Sequence, residues 1–251
     1  MLDYNGICRD MEIQPQISAN SRACQSAEGF SAIVDGTRTN FKMHDYPSMY
    51  RVPGLYDAMM FGMLGCRTPA LLAKVVEVCL EASAFNGSIR MLEIGAGSGA
   101  FAEQIRRRNF IVERLVGLDI HEEARSAAER DRPGVYDDYL ICDLTRLDRH
   151  VAERIKDLSP NCVAVASATG WGNHIPVAGF QAAFDHLSDQ GWFVFHVKPN
   201  DPDPECIALN EWITQLIASG SILNPTRGRI FHRENVDGNP IFYDYIVGQK
   251  A

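Results

Sequence analysis

The sequence predicts an α/β protein built on a doubly wound, mostly parallel sheet, and three observations carry that reading. Short apolar runs alternate with amphipathic helical stretches from residue 86 onward, the runs are almost continuously apolar, and the chain ends on two β-rich runs around Asp237-Gly238. Alternation of this kind builds βαβ units. Unbroken apolar runs suit strands covered on both faces. Asp-Gly between β-rich runs signals a hairpin, so the parallel sheet is expected to finish in an antiparallel one.

The elements follow in order. Residues 1–45 are rich in Ser, Asn, Gln and Ala with weak periodicity, and a loosely ordered arm is expected there. Its role (lid, dimer arm or tail) stays open, and a homodimer with it. Residues 46–85 turn helical in "GLYDAMMFGMLG" and "TPALLAKVVEVCLEASA". In the second stretch Leu71, Leu72, Val75, Val76, Val78, Cys79 and Leu80 recur close to helical spacing. Thr68-Pro69 reads as a capping residue followed by Pro at the first helical position. Together these helices are expected to fold as a lid over a core spanning 86–251. In that core, strands are expected at Ile89–Ile94, Leu115–Asp119, Tyr139–Asp143, Val163–Ser167 and Trp192–Val197. Helices are expected at Phe101–Arg108, Glu122–Arg130, His150–Leu158, Ala178–Leu187 and near Cys206–Ser219.

Composition narrows the functional classes. At 251 residues and 46% hydrophobic, one domain with a large core is expected. No run approaches the roughly 18 to 20 apolar residues of a membrane span. The start lacks a basic stretch followed by an apolar one, so a cytoplasmic protein without a membrane partner is the expectation. Seven scattered cysteines without a C-x-x-C read as small buried residues rather than a disulfide framework or a zinc knuckle. A net charge of -8 disfavours a nucleic-acid partner. The basic run Arg106-Arg107-Arg108 lies at a predicted helix end, where it complements the helix dipole.

The stretch "MLEIGAGSGAFAEQI", Met91 to Ile105, carries the chemistry. Gly95-x-Gly97-x-x-Ala100 fits a dinucleotide loop, whereas Glu93-x-Gly95-x-Gly97-x-Gly99 fits a cofactor without a phosphate. A carboxylate directly before the loop would repel a pyrophosphate and suits a cationic amine instead. Ligands of an open parallel sheet bind beyond the carboxyl ends of its strands. The expected strands end on Glu93, Asp119, Asp143 and Ser167, about 24 to 26 residues apart, close to one strand-plus-helix unit. An acid after the second strand can accept both hydroxyls of a ribose, and one after the third can accept from an exocyclic amine.

From Ile89 to Lys250 the chain resembles the class I S-adenosylmethionine (SAM)-dependent methyltransferases, with "GLDI", "CDL" and "GWFVFHVKP" as its second motif, third motif and fifth strand. The resemblance implies a seven-stranded sheet in the order 3-2-1-4-5-7-6, with the seventh strand antiparallel. It implies SAM as cofactor, with Glu93, Gly95, Ala96 and Gly97 around the methionine part. Asp119 would hold the ribose, Ile120 would pack on the adenine, and Asp143 with the Leu144 N–H would read its edge. Ser167 or Ala168 would line the methionine end.

Methyl transfer from a sulfonium is an in-line displacement, in which the protein supplies alignment and, where the acceptor must lose a proton, a base. The chain lacks the [DN]-P-P-[YF] motif of amino methylation, a Pro-Cys after the fourth strand and the paired acids of a metal-dependent site, so no metal is expected. What remains is similar to the small-molecule branch. His174 in Gly172-Asn173-His174-Ile175-Pro176 is the first candidate for a general base, and Tyr56 is a second catalytic candidate. Tyr46, Tyr50, Trp171, His196 and Tyr243 are candidates for the acceptor pocket, with His44 also near it. His196 equally reads as a core histidine within its strand, and alternation leaves the facing of His232 and Tyr243 open. Non-methyl chemistry on the same scaffold, such as intramolecular alkyl transfer releasing methylthioadenosine, is the alternative, followed by a non-catalytic SAM-binding module.

Overall fold

The computed structural model describes residues 8–17, 27–166, 168, 175–199 and 201–251. Its main feature is a seven-stranded sheet made of β4 (Ile89–Ile94), β5 (Val112–Asp119), β6 (Asp138–Ile141), β7 (Cys162–Val165), β8 (Trp192–Val197), β9 (Ile222–Glu234) and β10 (Pro240–Lys250). The strand order is β6-β5-β4-β7-β8-β10-β9. The five strands from β4 to β8 run parallel, and β10 inserts antiparallel between β8 and β9. This is the expected 3-2-1-4-5-7-6 order. The closing hairpin turns at Asn235–Asn239, where the Asn235 side chain accepts from Asp237 N and Asn239 N.

Strand alternation sorts the side chains onto two helical layers. Leu92, Ile94, Val163, Val165, Phe193 and Phe195 pack against α6 (Arg149–Leu158), α7 (Val177–His186) and α8 (Pro204–Ala218). Met91, Cys162, Ala164, Trp192 and Val194 pack against α3 (Thr68–Ala82) and α4 (Ala100–Arg106). α5 (Glu122–Asp131) buries its small residues Ala124, Ala127 and Ala128 beside Tyr139. Glu93 therefore faces the α4 side, the same side as Met91. His196 falls on this face too.

α3 is consequently a layer of the core rather than part of a lid. Its start also differs from expectation. Arg67 occupies the cap without a side-chain bond, and Thr68 instead places Oγ1 2.8 Å from His232 Nδ1. The helical lid is reduced to α1 (Tyr46–Arg51) and α2 (Leu55–Asp57), which widens into a π-helical segment over Ala58–Met63. Asp45 caps α1 by accepting from Ser48 N.

The expected loose arm is a correction as well. β1 (Gln14–Gln16), β2 (Gly29–Val34) and β3 (Thr37–Lys42) form a three-stranded antiparallel sheet. Asp35 and Gly36 turn it with φ of 49° and 75°, as a type I′ hairpin requires. Phe30 and Phe41 stack across the pair at 5.3 Å and share a core with Met43, Met49, Leu55, Met59 and Val236. This N-terminal unit is tied to the closing hairpin by a buried ion pair. Arg233 donates to Glu28 Oε2 at 2.6 Å, Val236 N donates to Glu28 Oε1 at 3.2 Å, and both side chains are almost fully enclosed.

Removing one member of a buried pair strands the other's charge. Glu28→Ala should therefore destabilise the protein by about 3–5 kcal/mol in urea unfolding. A double replacement by apolar residues, Glu28→Leu with Arg233→Met, should recover much of that loss.

Candidate functional site

A cavity of about 380 Å³ opens at the carboxyl ends of β4, β5 and β6, under the lid. The structure brings together most of the predicted cofactor set. Glu93, Gly95, Ala96, Gly97, Asp119, Ile120, Asp143 and Leu144 all line it. Tyr46, Tyr50 and Tyr56 close it from the lid, with Phe61, Cys66 and Pro69 at the same end. His174, Trp171 and Ser167 lie outside the described residues.

The glycine loop is shaped for close approach. Gly95 and Gly97 take φ of 65° and 53°, which L side chains rarely adopt. A Cβ on Gly95 would sit 2.3 Å from Ala168 Cβ, and one on Gly97 would sit 2.6 Å from the Tyr50 hydroxyl. Tyr50 thus reaches over the glycine loop, within the same cavity.

Asp119 ends β5 with each carboxylate oxygen taking one backbone bond, from Gly97 N (2.9 Å) and His121 N (3.0 Å). Burial raises its proton affinity, and those N–H groups offset part of the rise. Each oxygen keeps acceptor capacity for a further donor. Asp143 spends Oδ1 on the Thr145 N–H and hydroxyl, capping the turn after β6, and those bonds hold it below its ordinary range.

Glu93 is 1% exposed. Burial pushes its carboxyl up to about 8, while the Tyr136 hydroxyl, donating at 2.9 Å, works the other way. Neither Tyr136 nor Tyr139 carries a motif that sequence reasoning could have flagged. Yet the Tyr136 hydroxyl also lies within hydrogen-bond reach of Ala96 O (3.2 Å), and Tyr139 donates to Gly97 O (2.8 Å), so the two phenols brace the loop from behind.

A second group missed from sequence fastens the lid to this loop. Arg132 Nη2 donates to Asp57 Oδ2 at 2.6 Å, its Nη1 donates to Ser98 O, and the Ser98 hydroxyl donates to Asp57 Oδ1 at 3.3 Å. Asp57 belongs to the lid, Ser98 to the glycine loop, and all three are buried. Above them Tyr50 and Tyr56 pack at 4.8 Å, and Tyr46 stacks near Tyr50 at 6.3 Å. Burial holds all three phenols protonated, Tyr46 pushed up to about 12 and the others well above their ordinary value.

His196 and Tyr243, expected at the acceptor pocket, do not line the cavity. His196 is fully buried and lies against Tyr243 at 5.0 Å, while His232 stacks on Tyr243 at 4.3 Å. Burial pushes His196 down to about 3 and holds His232 well below its usual range, so both stay neutral as interior packing.

A glycine loop after the central strand, acids at the ends of the next two and an antiparallel hairpin at the sheet edge define a class I SAM-dependent methyltransferase. The family model described as "Methyltransferase domain" matches residues 67–235, and the chain belongs to that family, with SAM as its cofactor. A search of curated proteins finds no significant match. Among solved structures, the CurJ carbon methyltransferase is 14% identical over 82% of this chain and 57% of that one, with a TM-score of 0.51, and it shares the fold. Magnesium protoporphyrin IX methyltransferase (ChlM) from Synechocystis PCC 6803, with bound SAM, is 11% identical over 72% and 79% of the two chains, with a TM-score of 0.48. A candidate RNA methyltransferase from Pyrococcus horikoshii is 14% identical over 74% and 86%, also at 0.48.

The residues present fit the cofactor: a loop that no side chain could fill, a strand-end carboxylate with spare acceptor capacity, and an enclosed carboxyl suited to an ammonium. That last feature has a cost in the free protein. The ordinary Glu value is 4.5 and the folded one about 8. Folding favours the neutral acid, so the associated stability is full below pH 4.5 and is lost as pH rises through 8. Glu93→Gln has no proton to lose. Its cofactor-free melting temperature should exceed that of the wild type by roughly 10 °C at pH 8.5 and match it near pH 4.5, as read by scanning calorimetry.

Proposed function

We propose that the chain methylates an O, N, S or C atom of a small organic metabolite. The observation that carries this reading is the shape of the cavity. Beyond the glycine loop it continues beneath the lid, between Tyr46, Tyr56, Phe61, Cys66 and Pro69. Aromatic walls with a few hydroxyls suit a compact, partly apolar ligand held out of water. The net charge of -8 adds no electrostatic attraction for a polyanion.

In this reading Glu93 accepts from the cofactor's ammonium and the glycine loop follows its methionine part. Asp119 accepts from the ribose hydroxyls, Ile120 and Leu144 flank the adenine, and Asp143 accepts from its exocyclic amine. The cofactor supplies a methyl already activated by the sulfonium. Tyr46 and Tyr56, being protonated, orient an acceptor by donating hydrogen bonds and exclude water from it. Tyr56 therefore acts as a donor rather than a base. His174 is assigned as the base where the acceptor carries a removable proton, and Ser167 and Trp171 as neighbours of the methyl and the acceptor.

The test is incubation of the protein and SAM with fractionated metabolites, with products followed by mass spectrometry. S-adenosylhomocysteine formed together with an acceptor heavier by one methyl group is expected. Methylthioadenosine in its place would support the alkyl-transfer alternative, and turnover confined to RNA or protein would overturn the small-molecule assignment. With an acceptor in hand, His174→Ala should lower turnover at least about tenfold while calorimetric S-adenosylhomocysteine affinity is unchanged.

A further inference from the structure

Tyr136 precedes β6 and stands behind the glycine loop, where its hydroxyl touches two groups that have no other reason to be connected. One is the Glu93 carboxyl, at 2.9 Å from Oε2, and the other is Ala96 O, at 3.2 Å. Ala96 O already accepts from Gly99 N at 3.0 Å, so the loop turn is closed without the phenol. A phenol has one proton to donate and can accept another bond at the same oxygen. Two arrangements follow. When Glu93 is a carboxylate, Tyr136 donates to it. When Glu93 is a neutral acid, its own O–H donates to the Tyr136 oxygen, and the phenol proton turns to Ala96 O. Neither protonation state leaves a buried polar group without a partner, an omission that would be costly at a site this enclosed.

We propose that Tyr136 is a positioning residue for cofactor binding, whose hydroxyl lets the buried Glu93 carboxyl pass from acid to carboxylate as a cationic amine arrives and holds its Oε2 in place in both states. The proton given up by Glu93 leaves to solvent, and no other bond changes. This rests on the reading that Glu93 meets the cofactor's ammonium.

The surroundings of Glu93 make such support necessary. Asp119 at the end of β5 repels a charge there. Arg132, following α5, and the backbone N–H of Ala102 in α4 favour it. On the other flank β7 presents Ala164 opposite Glu93, which carries no titratable group. Burial outweighs these effects and keeps the free carboxyl largely neutral at pH 7. An ammonium must therefore draw out a proton on binding, and Tyr136 is the side chain that donates directly to the anion so formed.

Tyr139 provides an internal control. It braces the same loop through Gly97 O at 2.8 Å, and its ring lies edge-on to Tyr136 at 5.2 Å.

The experiment titrates Glu93 by carboxyl-carbon NMR in glutamate-labelled protein, with its resonance assigned by loss in Glu93→Gln, and measures S-adenosylhomocysteine affinity calorimetrically at pH 7 and pH 9. In Tyr136→Phe the Glu93 midpoint should rise by about one unit. Affinity at pH 7 should fall about tenfold, with a smaller loss at pH 9. Tyr139→Phe should weaken binding by the same factor at both pH values and leave the midpoint unmoved. Placing 3-fluorotyrosine at position 136, where the hydroxyl is a stronger donor, should move the midpoint down, and this arm stands even if the phenylalanine variant does not fold. An unmoved midpoint, or a loss equal at both pH values, beside lost affinity in Glu93→Gln would overturn the role of Tyr136 alone. Full affinity in Glu93→Gln would overturn the assignment of Glu93 to the amine, and the role of Tyr136 with it.

Discussion

Taking the Glu93 carboxyl out of water is the constraint around which this site is organised. A buried carboxyl without a partner cation prefers its neutral form, and here burial outweighs the helpful contacts of Tyr136, Arg132 and Ala102 N. The free protein therefore holds a largely neutral acid, and in the proposed reading its ionisation waits for an ammonium that shares the charge. That arrangement lowers stability at neutral pH. It also explains why the loop is braced twice from behind. A loop free to relax would let water reach Glu93 and return the carboxyl to its ordinary value.

The same economy links the lid to the core. The Asp57–Arg132 pair is buried on both sides, a placement that contributes little net stability but fixes geometry when every hydrogen bond is satisfied. Here the satisfaction runs through Ser98 of the glycine loop, so the position of the lid and the conformation of the cofactor loop are set by one network. Glu103 of α4 shares the charge through Arg132 Nε at 3.2 Å. Tyr50, on the lid, then comes to rest over Gly97, where any side chain would displace it. At the opposite end, Glu28 and Arg233 fasten the small N-terminal sheet to the β9–β10 hairpin, so the lid is clamped from two directions.

Much of this was legible in the sequence because parallel strands buried on both faces leave continuous apolar runs, and because the strand-end acids recur at the spacing of a βα unit. The strands around the cofactor, and the acids Glu93, Asp119 and Asp143, follow from those two signals. The hairpin at Asp35-Gly36 was missed although it carries the same dipeptide as Asp237-Gly238. Its second strand, "TRTNFK", is largely exposed and lacks the apolar pattern that made the closing hairpin recognisable. His196 misled for a different reason. Alternation places it on the α3 face, and which side chains wait there depends on β9 and β10, which supply His232 and Tyr243. Pairs such as Tyr136 with Glu93, 43 residues apart, and Asp57 with Arg132, 75 apart, are set by tertiary packing alone. No local pattern encodes them.

The protonation states of the cavity also constrain the chemistry beyond the cofactor. At the end proposed for the acceptor, Tyr46 is pushed up to about 12 and Cys66 to about 11, both by burial, and Tyr56 stands well above its ordinary value. Near neutral pH these groups donate hydrogen bonds and do not accept protons. Among the described residues, that end therefore offers alignment and desolvation but no base. An acceptor such as a thiolate or a neutral amine brings its lone pair ready and needs nothing more than in-line placement. A hydroxyl or an acidic carbon must first lose a proton. In the proposed reading that proton goes to His174, so the chemical class of the acceptor and the role of that histidine are one question rather than two.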